Sequence, residues 1–140
     1  MKISEHITLL EATKSQTATR NKIDNMPNEQ QLEAMKLVAE RCFEPIRNHF
    51  GVPLTVSSFF RCDALNKSVG GSKTSQHVKG EAIDIDADGS SITNAQIYNW
   101  AKANLIFDQL IWEYGTIENP SWVHISFSKH SNRNQCLVVK

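Results

Sequence analysis

Between residues 29 and 51 the chain reads EQQLEAMKLVAERCFEPIRNHFG, and its apolar residues recur at steps of three and four. Leu32, Met35, Val38, Ala39, Cys42, Phe43, Ile46 and Phe50 make one stripe, the spacing of a helix that buries a single face. Asn28 is placed to cap its start and Gly51 to end it. Pro45 falls inside the stripe, so a kink or break is expected there. His49, close to the end, is expected to make a surface or charge–dipole contact.

Further along, the period changes from helical to two. PLTVSSFF reads as a strand running into a short turn or helix around CDALNKSVGGSKTSQH, where Gly70, Gly71 and Ser72 mark a loop. EAIDIDA alternates, with Ile83 and Ile85 on one face and Ala82, Asp84 and Asp86 on the other. SITNAQIYNWAKANL returns to helical spacing, capped near Thr93, with Ile97, Trp100 and Ala101 turned inward. DQLIWEYG is a further strand. SWVHISF sets Val123, Ile125 and Phe127 opposite Trp122, His124 and Ser126, and CLVV closes the chain as a last short strand. Helix first, then strands with one helix among them, predicts an α+β domain. Its sheet should be mostly antiparallel, with an N-terminal helical segment and one inserted helix. No repeat, low-complexity tract or Pro/Gly/Ser linker interrupts residues 1–140, which read as a single domain.

Composition narrows what such a domain does. At 140 residues the chain can bury one core. Fifteen basic side chains balance fifteen acidic ones, so no global field draws it to nucleic acid or an anionic membrane. The opening MKISEHITLLEATKSQ lacks the continuous apolar run of a secretory signal. No stretch reaches the ~20 apolar residues of a membrane span. A cytoplasmic monomer is expected, unless something else releases it. Cys42, Cys62 and Cys136 are odd in number and form no CxxC pair, which argues for reduced, mostly buried thiols. His6 and His130 are expected at the surface.

The segment TSQHVKGEAIDIDADG carries the chemistry. If the Ile83/Ile85 and Val123/Ile125/Phe127 rows share one core, Asp84 and His124 project from the other side of the same sheet. His77 precedes Gly80, whose freedom at positive φ allows a tight reversal back over that face. Two imidazoles and one carboxylate with a fourth position open are the ligand set of a catalytic zinc ion. The competing reading is of solvated histidines and turn-opening aspartates, and Asp86 and Asp88 fit that role. A calcium loop fits poorly. Twelve residues from Asp84 end at Ala95, with no bidentate glutamate, and a strand rather than a helix leads in.

SQHVKGEAIDI resembles the SxHxxGxAxD signature of the zinc D-Ala-D-Ala carboxypeptidase-type peptidases, which share a fold with hedgehog signalling domains. WVHIS is similar to that family's second metal-binding segment. VSSFFRCDALNKSVGGSKTSQH resembles its stretch with an arginine and a VGG-type loop, and SQTATRNKIDNMP the N-terminal segment of its small single-domain members. The resemblance implies a hedgehog/DD-peptidase-like fold and one Zn2+ held by His77, Asp84 and His124. Such an ion lowers the pKa of water and polarises a scissile carbonyl. Many members carry an acidic residue three before the last histidine, and here that position is Ser121. Glu113 is similar to the strand-borne glutamate of hedgehog-type and small peptidase members and is the preferred general base. Glu118, on the connecting loop, is the weaker candidate. Arg61 matches the family arginine that holds substrate or an oxyanion, a task suited to its paired planar donors. Ser75 and Gln76 are candidates for binding a peptide backbone. Trp122 either walls the cleft or caps the sheet.

The expected substrate is a peptidoglycan stem peptide or another D-amino-acid-containing peptide, cut either as a D-Ala-D-Ala carboxypeptidase or in the manner of a phage endolysin. Without an export signal, the chain fits an endolysin waiting in the cytoplasm or a phage-particle component; a bacterial cytoplasmic dipeptidase is the other possibility. The departure at Ser121 keeps a second class open: a zinc-stabilised recognition module without turnover.

Overall fold

The computed structural model describes residues 1–140 and opens with a hairpin, not with a helix. Strands β1 (Lys2–Ser4) and β2 (Ile7–Thr8) pair antiparallel. Two five-residue helices follow, α1 (Leu9–Thr13) and α2 (Gln16–Arg20). This corrects the expected order. Strands of three and two residues are too short to show a period, so the sequence hides them. The hairpin is anchored by Glu44, whose carboxylate accepts from Ser4 Oγ at 2.6 Å and from the His6 backbone N–H at 2.9 Å, with His6 Nδ1 at 2.6 Å. His6, expected at the surface, is only partly exposed and is bonded to Glu44.

Helix α3 (Glu29–Val38) begins where the sequence places it. Asn28 Oδ1 accepts from Gln31 N at 2.8 Å, and Gln31 Oε1 accepts from Asn28 N at 2.8 Å, a reciprocal cap. A π-helical turn over Ala39–Phe43 leads into α4 (Glu44–Phe50). Pro45 sits in the first turn of α4, and the preceding wider turn accommodates its missing N–H without ending the helical run. The expected break is therefore a change of winding. Gly51 ends the run at φ +67°. The predicted stripe is buried, with Leu32 and Phe50 at its margins. Burial within it pushes the Cys42 thiol up to about 12, so that residue packs as an inert apolar group. His49 stacks on Trp100 with ring centroids 4.5 Å apart.

Five strands form the main sheet: β3 (Thr55–Ser58), β4 (Ala82–Asp86), β5 (Gln109–Glu113), β6 (Trp122–Ser126) and β7 (Gln135–Val139). Their order is β3-β4-β6-β5-β7. All neighbours are antiparallel except β5 and β7, which run parallel. Helix α5 (Asp63–Ser68) follows β3, and α6 (Asn94–Asn104) joins β4 to β5. Thr93 caps α6, accepting from Gln96 N. The helices α3, α4 and α6 cover one face of the sheet, where Ile83, Ile85, Leu110, Val123 and Ile125 are fully buried. At about 1.5–3 kcal/mol for each buried aliphatic side chain, this row fixes the register. A slip of one residue would turn every alternate side chain inward. No helix is long and apolar enough to cross a membrane.

Candidate metal centre

The uncovered face of the sheet is the floor of a cleft of about 1450 Å³. Polar and charged side chains dominate its lining, including Lys14, Arg61, Lys79, Asp84, Glu113 and Arg133. Asp84 and His124 lie directly opposite each other on β4 and β6, and Asp84 Oδ1 is 3.0 Å from His124 Nδ1. His77 arrives from the loop before β4, with Nε2 3.4 Å from Asp84 Oδ2. Gly80 makes that approach possible. It adopts φ +75°, and a Cβ there would meet Gln31 O at 2.5 Å. All three side chains are buried, and their donor atoms lie within 4.8 Å of one another.

The chemistry of this donor set fits a cation. His77 Nδ1 is 2.7 Å from the Phe59 carbonyl, which can only accept, so Nδ1 carries a proton. A neutral His77 then presents the Nε2 lone pair to a carboxylate, an arrangement that a positive ion relieves. Burial opposes ionisation of Asp84. When the two imidazoles are protonated, their hydrogen bonds and positive charge outweigh it and hold the carboxyl well below the usual range; with His77 neutral, a bound cation would take over that part. The set therefore offers one anion and two imidazoles.

Glu113 stands on β5 beside these groups, its Oε1 3.7 Å from His124 Nδ1. The alternation of β5 puts Gln109, Ile111 and Glu113 on the cleft side and Leu110 in the core. Burial and the nearby Asp84 charge raise the Glu113 pKa against the pull of His124 and His77. Glu118 is exposed on the loop that follows and does not line the cleft; Ser121 is likewise exposed and outside it. Of the two candidate bases, only Glu113 comes to the donor set.

Arg61 follows β3 at the cleft wall, half-buried. Its Nη1 donates to Asn66 Oδ1 at 3.4 Å, while its Nε is buried without a partner. Burial lowers its pKa, opposed by the charges of Asp84 and Glu113. Ser75 Oγ accepts from the His77 backbone N–H at 3.3 Å, so this hydroxyl braces the loop as well as facing the cleft. Trp122 walls the cleft, with its ring edge-on to Tyr114 at 5.3 Å.

Gln76 is less free than a backbone-binding role suggests. Its Nε2 donates to Asp108 Oδ2 at 2.9 Å, leaving Oε1 buried and unpartnered. Asp108 also receives Arg133 Nε at 2.8 Å and Nη2 at 3.0 Å. The sequence offers no hint of this bidentate pair, because its members lie 25 residues apart in irregular segments. Glu5, His6 and Glu44 are likewise close enough to hold a cation, but the Glu44 oxygens are already taken by Ser4 and His6.

A buried His–Asp–His set on the floor of an open polar cleft, with a carboxylate at its edge, is an arrangement suited to a metal-dependent hydrolase. The model of one family, Peptidase M15, matches residues 5–126, and the chain belongs to that family of zinc-dependent metallopeptidases. Comparison with curated proteins finds no match.

Proposed function

We propose that this chain is a zinc peptidase that hydrolyses peptide bonds in peptidoglycan stem peptides. His77 Nε2, His124 Nδ1 and one or both oxygens of Asp84 would hold the ion. The observation that carries this reading is the orientation of His77, whose Nδ1 proton is committed to Phe59 O so that Nε2 faces Asp84. When bound, zinc supplies positive charge that acidifies water and polarises a carbonyl.

The remaining work belongs to the protein. Glu113 Oε1, with its raised pKa, takes a proton from the attacking water and passes it to the leaving amine nitrogen. The guanidinium of Arg61 has no carboxylate partner and so gains from a developing oxyanion or a substrate carboxylate. Lys14 and Lys79 around the cleft suit a peptide bearing free carboxylates. Cleavage as a carboxypeptidase and cleavage within the stem in the manner of an endolysin both fit an open cleft.

The absence of an acid at Ser121 favours a second reading, a zinc-stabilised recognition module without turnover. The position of Glu113 beside the donor set weighs against it. Incubation of the protein with muropeptides, with and without a chelator, tests the proposal by the masses of the products. Chelator-sensitive loss of D-alanine or splitting of the stem is expected. Intact muropeptides with zinc-loaded protein would refute it.

A further inference from the structure

Arg61 sits on a segment that is held from both sides by one buried amide. Asn25, only 6% exposed, donates through Nδ2 to Phe60 O and to Thr13 O, each at 2.9 Å, and its Oδ1 accepts from Cys62 N at 2.8 Å. The bonds to residues 60 and 62 straddle Arg61. With two carbonyls at Nδ2 and an N–H at Oδ1, the orientation of this amide has one solution. The Arg61 N–H in turn donates to His77 O at 3.3 Å, while His77 Nδ1 donates to Phe59 O.

A second buried amide holds the guanidinium itself. Asn66, 5% exposed, donates through Nδ2 to Ser72 O at 2.9 Å, which turns Oδ1 towards Arg61 Nη1 at 3.4 Å. Gly71 leaves room for this contact. A Cβ there would lie 2.0 Å from Asn66 Oδ1 and 3.1 Å from Arg61 Nη1. An arginine has four rotatable side-chain bonds, and fixing them only when substrate arrives would weaken its interaction with a reacting group. Here the backbone and one end of the guanidinium are fixed beforehand, while Nε is left without a partner.

We propose that Asn25 and Asn66 are positioning residues that preset Arg61 over the cleft, Asn25 through the backbone and Asn66 through Nη1. The assignment rests on the reading of Arg61 as the anion-binding group of the peptidase. A double-mutant cycle separates positioning from general support of the fold. Asn25→Ala and Asn66→Ala should each lower kcat/KM by roughly ten- to a hundred-fold, with zinc content unchanged. Each should repeat the split between kcat and KM shown by Arg61→Ala. Combined with Arg61→Ala, neither should cost more than about a further two-fold, because the group they position is gone.

Gly71→Ala keeps both amides and displaces Asn66; it should show the same split in a smaller loss, and it serves if an asparagine variant fails to fold. A readout without substrate is the 1H–15N heteronuclear NOE of Arg61 Nε, which should fall in Asn66→Ala and in Gly71→Ala. Losses that multiply with that of Arg61→Ala would mean a merely structural role and overturn the proposal. So would an unchanged NOE, or wild-type kinetics in Gly71→Ala and Asn66→Ala. A fully active Arg61→Ala would remove the reading of Arg61 itself, and the positioning role with it.

Discussion

Asp84 and His124 are cross-strand partners, with 3.0 Å between Oδ1 and Nδ1 and their neighbours Ile83, Ile85, Val123 and Ile125 buried on the opposite face. The same alternation that fills the core aims the donor set into the cleft. Site geometry and core packing are thus one feature, since the register cannot slip for one without slipping for the other.

Loss of core volume should therefore be felt at the site only through stability. Ile125→Ala should lower unfolding free energy by about 2–4 kcal/mol in urea titration. Below its unfolding transition it should still bind one zinc ion.

Glu113→Gln removes the proton acceptor while keeping the shape of the side chain. Turnover should fall by roughly 10²–10⁴-fold, with metal content unchanged on elemental analysis. Turnover that survives the change would move the base elsewhere. An enzyme that was never active would instead favour the recognition-module reading.

Gly80→Ala should damage the site from outside it. The residue adopts φ +75°, and the new methyl would meet Gln31 O and Met35 Cγ. A backbone oxygen cannot withdraw cheaply, so the His77 loop must shift. Zinc affinity should drop along with stability. A variant with normal affinity and normal melting temperature would show that the loop has another route to the same position.

Glu44 links stability to pH. Burial opposes its charge, but hydrogen bonds from Ser4 and His6 outweigh that and hold its pKa below the ordinary value. As pH falls, the unfolded chain takes up this proton before the native one does. The contribution is complete above the ordinary glutamate range and is lost as pH falls through the depressed value. Wild type should exceed Glu44→Gln by roughly 1–3 kcal/mol at neutral pH, and the gap should close in strong acid. A gap independent of pH would mean that shape, not charge, anchors the hairpin.

Much of this was legible because it is local or periodic. Asn28 and Thr93 announce their helices by cap chemistry, and the alternation of EAIDIDA and WVHIS already sends Asp84 and His124 to one side. Glu113 was singled out by resemblance, and the alternation of β5 brings it to the cleft. What stayed hidden depends on chain segments far apart. Glu44 with His6, Arg133 with Asp108, and Asn25 with Phe60 and Cys62 meet across 25 to 38 residues, and at least one partner of each lies in a segment without a period. Parallel pairing of β5 with β7 is equally invisible, because strand direction is set by the path of the connecting loop. Gln76 lines the cleft beside the motif, but the bond from its Nε2 to Asp108 could not be foreseen from the motif.

The central claim is that three side chains from separate segments hold one metal ion. Elemental analysis of protein purified without added zinc tests it most directly. One zinc per chain in the wild type, falling to near zero in His77→Ala, Asp84→Ala and His124→Ala variants that remain folded, is the expected result. Metal-free wild type that binds no zinc on titration, or the same zinc content in all four proteins, would contradict it.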